Sequence, residues 1–144
     1  FDTFDGFDER DIQKDKEMKL SDYQSAYFNQ TDERCVMAKM AYPEKVHIVK
    51  GYFPETTALV NPNNHYLFVN LDFDLYEPTL AGVQYFFPRM IEGGVILVHD
   101  YFHMNYKGVS KAVLDYNEFI LNRYGGGVVK LPIGDHISIA LVKS

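Results

Sequence analysis

The sequence predicts an α/β fold: a mostly parallel sheet whose last two strands form an antiparallel hairpin. Three observations lead there. Two apolar runs, His65 to Asp72 and Val95–Val98, are each bounded by turn residues and separated by a helical pattern. A second helical pattern follows, over about Gly108 to Tyr124. The chain then closes with two β-rich segments joined only by Pro132-Ile133-Gly134-Asp135. So short a linker cannot make a parallel crossover, so the final pair must be antiparallel.

The elements are justified in order. Phe1–Phe7 reads as a strand end and the turn after it. Residues 8–30 are rich in charge without a clean period, and read as a surface loop or loose helix that could serve as a lid. Thr31-Asp32-Glu33-Arg34 starts like a capped helix, which runs to about Tyr42, where Pro43 stops it. Val46–Val49 is a short β-branched strand with a Gly51 exit. Asn61-Pro62-Asn63-Asn64 is a turn. Pro78-Thr79 opens the next helix, with proline in the first turn, where its missing N–H does no harm. Leu80, Val83, Phe87 and Met90 recur at helical spacing and should face the sheet. Pro88 lies near the end of that helix, and Gly93-Gly94 closes it. The helix over 108–124 has a buried stripe of Val109, Val113, Tyr116 and Ile120, and Gly125-Gly126-Gly127 ends it.

Composition narrows the function classes. A chain of 144 residues with 47% apolar content is one domain, large enough to bury a core. The net charge of -6 argues against a nucleic-acid surface, which needs clustered Lys and Arg. Cys35 is the only cysteine, which excludes an intrachain disulfide and a thiolate metal cage and suits a reducing cytoplasm. No apolar run approaches membrane-spanning length, so no membrane association is expected. Aromatic content of 15% allows an interface in a homo-oligomer.

Chemistry concentrates where the two apolar runs end. One ends in Asp72-Phe73-Asp74-Leu75-Tyr76-Glu77, the other in His99-Asp100-Tyr101. Ligands of open α/β sheets bind outside the carboxyl ends of the strands. Neighbouring strands would point Asp72, Asp74, His99 and Asp100 into one crevice, a place for a metal, a base or both. The alternative role of Asp72 and Asp74 is to cap the following helix. His99 could equally be a satisfied histidine at a strand end.

Five segments together resemble the macrocin O-methyltransferase (TylF-type) family. They are Phe1-Asp2-Thr3-Phe4-Asp5-Gly6, Val49-Lys50-Gly51-Tyr52-Phe53-Pro54-Glu55-Thr56, Leu71–Thr79, Pro88 with Gly93-Gly94, and Val98–Tyr101. The resemblance runs from residue 1 to the C-terminus, and Asp72-x-Asp74-Leu75-Tyr76-Glu77-x-Thr79 is its most specific element. It implies a Rossmann-like class I methyltransferase sheet over 1–144, S-adenosylmethionine as cofactor, and a divalent metal such as Mg²⁺. The acceptor it implies is a small-molecule hydroxyl on a sugar or natural product. It places Asp72, His99 and Asp100 at the metal and Asp74 as general base. Asp2 then falls at the cofactor ribose, with Thr3 and Gly51 near the adenosine. Two features depart from the family pattern. The glycine-rich loop and first strand have no counterpart, which suggests that upstream sequence is missing. His99-Asp100 stands where paired acids are commoner, and an imidazole shifts metal preference away from Mg²⁺. Two other readings compete: a methyltransferase-fold domain without catalysis, and an Asp-x-Asp phosphohydrolase of haloacid-dehalogenase type, with Asp72 as nucleophile.

Overall fold

The computed structural model describes residues 1–21 and 32–144. Strand β1 (Tyr66–Leu71) leads into helix α3 (Tyr76–Phe86) and then strand β2 (Met90–Val98). Helix α4 (Lys107–Tyr124) follows, and β3 (Val129–Pro132) and β4 (Ile139–Val142) close the chain. Ahead of them lie α1 (Glu9–Glu17) and α2 (Glu33–Lys39). The sheet order is β1-β2-β4-β3. β1 and β2 run parallel, β4 is antiparallel to both β2 and β3, and the terminal hairpin is as expected.

The helices form where the sequence places an apolar stripe. Of the expected α3 stripe, Val83 is buried and Leu80 partly so, with Phe86 beside them; Phe87 falls in the turn after the helix and Met90 in β2, because α3 ends at Phe86. In α4 Val109, Val113 and Tyr116 are buried, with Ile120 partly so. They pack with Leu71, Ile96 and Leu141 of the sheet into one core. Ile96, Val83 and Leu141 are fully buried, each contributing about 1.5–3 kcal/mol relative to exposure. Gly125, in a left-handed conformation (φ 74°), ends α4 as a glycine C-cap should.

Several expectations need correction. α2 stops at Lys39, short of Tyr42, and its cap is Asp32, which accepts from Cys35 N at 2.8 Å. None of its residues is buried, so no packing extends it. Val46–Val49 is not a strand. A strand needs a ladder, and among the described residues 46–49 forms none; the adjacent Lys50 makes a single parallel bridge to Asp2. That bridge stands apart from the four-stranded sheet, so 46–49 and β1 are not neighbours. Gly93 and Gly94 do not close a helix: α3 ends at Phe86, the turn Phe87–Arg89 containing Pro88 follows, and the glycines lie inside β2. They absorb a bulge, because Tyr66 pairs with Met90 and Phe68 with Val95. A Cβ on Gly94 would stand 2.8 Å from Ile91 O and 3.1 Å from Leu67 O. Of the expected lid, residues 8–21 hold a regular helix, α1; the remainder lies outside the described residues, as does Thr31.

Candidate active site

Parallel pairing of β1 with β2 brings two carboxyl ends side by side. Leu71 is in register with Val98, and His99 N donates to Leu71 O at 2.9 Å. Asp72 leaves β1 at that point, and His99-Asp100 leaves β2 beside it. One oxygen of Asp72, one nitrogen of His99 and one oxygen of Asp100 lie within 4.8 Å of one another. His99 Nδ1 is 3.1 Å from Asp72 Oδ1 and 2.8 Å from Asp100 Oδ2. Asp100 is buried, and Asp72 reaches solvent.

Asp74 joins the same group through an unusual backbone. Asp74 (φ 62°) and Asp100 (φ 57°) are both left-handed, a region that few non-glycine residues occupy and that concentrates at functional sites. Burial, a hydrogen bond with Asp100, and the charges of Asp100 and Asp72 raise the Asp74 carboxyl to about 8; His99 opposes this weakly. For His99, burial disfavours the charged ring. Asp100, Asp72 and Asp74 together outweigh burial, so its proton affinity is raised.

Capping of the next helix is not the role of Asp72 or Asp74. α3 has no side-chain cap from its own N-cap residue, Leu75. Its first amide, Tyr76 N, is instead taken by Asp15 of α1 at 3.0 Å.

The expected cofactor residues lie in the wall of the same cleft, about 860 Å³ in volume, as Asp72, Asp74, His99 and Asp100. Asp2 exchanges backbone hydrogen bonds with Val49 O and Gly51 N, while its Oδ1 accepts from Phe4 N at 2.7 Å. Thr3 Oγ1 donates to Gly6 O. Gly51 has φ 133°, and a Cβ there would meet Thr56 Cγ2 at 2.9 Å, so the position excludes a side chain.

Sequence reasoning missed Asp11 and Tyr52, which line the cleft, and Asp15, which caps α3. Asp11 lines the cleft, is buried, and accepts from the Tyr52 hydroxyl at 2.8 Å. Arg10 lies 3.8 Å over the Tyr52 ring and pairs with Asp8 and Glu55. The signal was present: Asp11, Ile12 and Asp15 share one helical face. A mostly acidic face does not register in an apolar periodicity, although it is buried here.

The sequence profile described as macrocin-O-methyltransferase (TylF) matches residues 1–120. This chain belongs to the macrocin-O-methyltransferase family. Membership removes the phosphohydrolase reading. Among solved structures, the chain is similar to the O-methyltransferase NovP, with a TM-score of 0.73 and 19% identity, over 99% of this chain and 57% of that one. It is also similar to CalS11, a calicheamicin methyltransferase, with a TM-score of 0.70 and 20% identity, over 99% of this chain and 58% of that one. At that identity the likeness shows the fold: the four strands described match part of the methyltransferase fold, and the chain spans 57% and 58% of the two relatives' lengths. No curated protein sequence matches. No helix among the described residues is long and apolar enough to cross a membrane.

Proposed function

We propose that this chain carries the metal and base machinery of an S-adenosylmethionine-dependent O-methyltransferase acting on a hydroxyl of a small, sugar-like natural product. The supporting observation is the convergence of Asp72, His99 and Asp100, with Asp74 against them, at the ends of two adjacent parallel strands. Two carboxylates can take Mg²⁺, and the imidazole beside them tilts the preference toward a divalent ion that also accepts nitrogen, such as Mn²⁺. Such an ion, when bound, lowers the pKa of a hydroxyl that reaches it.

The remaining work belongs to the chain. Asp74 sits beside the ligand set; in its deprotonated form it takes the acceptor's proton as the acceptor oxygen receives the methyl group from the cofactor sulfonium, which leaves as S-adenosylhomocysteine. The cleft has room for cofactor and acceptor together, so their reacting atoms can be held in line. Asp2, Thr3 and Gly51 line the part of the wall assigned to the adenosine, where the left-handed Gly51 packs its backbone against Thr56. Asp72, His99 and Asp100 hold and orient the acceptor end.

The test is calorimetric titration of S-adenosylmethionine and S-adenosylhomocysteine with and without Mn²⁺, followed by transfer of labelled methyl to a panel of glycosides. Binding of both, and Mn²⁺-dependent transfer lost in Asp74→Asn, is expected. Absence of cofactor binding would instead favour a methyltransferase-fold domain without catalysis.

A further inference from the structure

The loop Asp72–Leu75 carries two of the proposed functional acids and is short. It holds Asp74 in a left-handed conformation (φ 62°) and is pinched by a 2.7 Å bond from Leu75 N to Phe73 O. The loop is held at both ends. At the start, Leu71 O accepts from His99 N. At the finish, Tyr76 N donates to Asp15 Oδ1 at 3.0 Å, across 61 residues of sequence.

Asp15 is built into a joint among three helices. Its side chain is wholly buried, and its second oxygen accepts from Ser21 Oγ at 3.3 Å. Gly108, in the first turn of α4, closes over it: a Cβ there would stand 2.7 Å from Asp15 Oδ2 and 2.8 Å from Tyr76 N. The Tyr76 hydroxyl donates to Asp115 of α4 at 2.7 Å, and Lys111 secures Asp115. Burial raises the proton affinity of Asp15, so a carboxyl here works against its own solvation. A local Ser or Asp at position 75 would cap α3 more simply. The remote cap adds something a local one cannot: it ties the end of the acid loop to α1, whose Asp11 lines the same cleft.

We propose that Asp15 is a positioning residue for the acid cluster. By fixing Tyr76 N it sets the path of Asp72–Leu75, and so the placement of Asp72 as a ligand and Asp74 as the base. The proposal rests on the metal-site reading given above.

The test reads Mn²⁺ affinity by electron paramagnetic resonance, with far-UV circular dichroism and thermal unfolding alongside. Asp15→Ala removes the cap. Gly108→Ala keeps the carboxylate but wedges the joint apart, and it carries the test if Asp15→Ala does not fold. Both are expected to weaken Mn²⁺ binding by roughly 10–100-fold, as loss of a supporting shell does. Asp15→Asn keeps an acceptor for Tyr76 N–H and should remain close to wild type. A folded Asp15→Ala or Gly108→Ala that binds Mn²⁺ like wild type, or an Asp15→Asn as weak as Asp15→Ala, overturns the proposal alone. A wild type that binds no Mn²⁺ overturns the metal reading and this proposal with it.

Discussion

His99 Nδ1 lies 2.8 Å from Asp100 Oδ2, and the same nitrogen lies 3.1 Å from Asp72 Oδ1. One ring nitrogen therefore sits between two carboxylates. It can carry a proton there or give its lone pair to a cation, but not both. Burial opposes the protonated ring, and the surrounding acids more than offset it. A cation held through this nitrogen would have to displace a proton from it.

Mn²⁺ affinity should therefore rise with pH. The sign follows from His99: the surrounding acids hold its proton more tightly than a free histidine does, so a cation must displace it, and binding eases as pH rises. Calorimetry in buffers of different ionisation enthalpy should show proton release on binding. Affinity independent of pH would remove His99 from the ligand set.

Asp74→Asn should keep the fold, because the amide is nearly isosteric and Asn tolerates the left-handed backbone. Mn²⁺ and cofactor binding should persist. Turnover should fall by roughly 10²–10⁴-fold, the usual contribution of a general base. Single-turnover rates check this. Near-normal turnover would take Asp74 out of the mechanism.

Asp11 gives a stability prediction with a definite sign. Burial raises its carboxyl to about 6, against the lowering effect of the Tyr52 hydrogen bond; Asp8 and Glu77 add to the rise and Arg10 opposes it. From its unfolded value of 3.8 up to about 6, the folded chain holds this proton more tightly than the unfolded chain. Its contribution to stability therefore falls as pH rises through that window and stays lower above it. Asp11→Asn, which still accepts from Tyr52, should flatten the profile and stabilise the chain at neutral pH by roughly 1–3 kcal/mol. Urea unfolding at mildly acid and neutral pH checks it; loss of stability at both would contradict it.

Gly82→Ala should destabilise by roughly 1–3 kcal/mol through overpacking. A Cβ on Gly82 would stand 2.8 Å from Phe73 Cε2 and 3.2 Å from Leu71 Cδ1, where α3 lies close against the end of β1. Thermal unfolding measures it. A neutral effect would mean that Phe73 gives way freely.

Most of the sheet was legible in the sequence because its rules are local. The length of the 132–135 linker dictated an antiparallel hairpin, and apolar spacing placed α3 and α4. The cluster of Asp72, His99 and Asp100 was legible for a similar reason, since strand ends announce themselves. Position 46–49 misled, because β-branched residues declare a preference but not a partner. Asp15 was out of reach from local pattern. Its meaning lies in a hydrogen bond to Tyr76 across 61 residues, and one-dimensional spacing does not record such pairings. Gly93-Gly94 read as a helix stop because a bulge and a C-cap both call for glycine.

The most direct measurement is an electron paramagnetic resonance titration of Mn²⁺ into the wild type, Asp72→Ala and Asp100→Asn. Asp72 is exposed, and Asn is well tolerated in the left-handed backbone of Asp100, so both variants should fold. The wild type should show one tight Mn²⁺ per chain, and each variant should lose it while circular dichroism stays unchanged. A wild type without that site, or variants that keep it, would contradict a metal centre built from Asp72, His99 and Asp100.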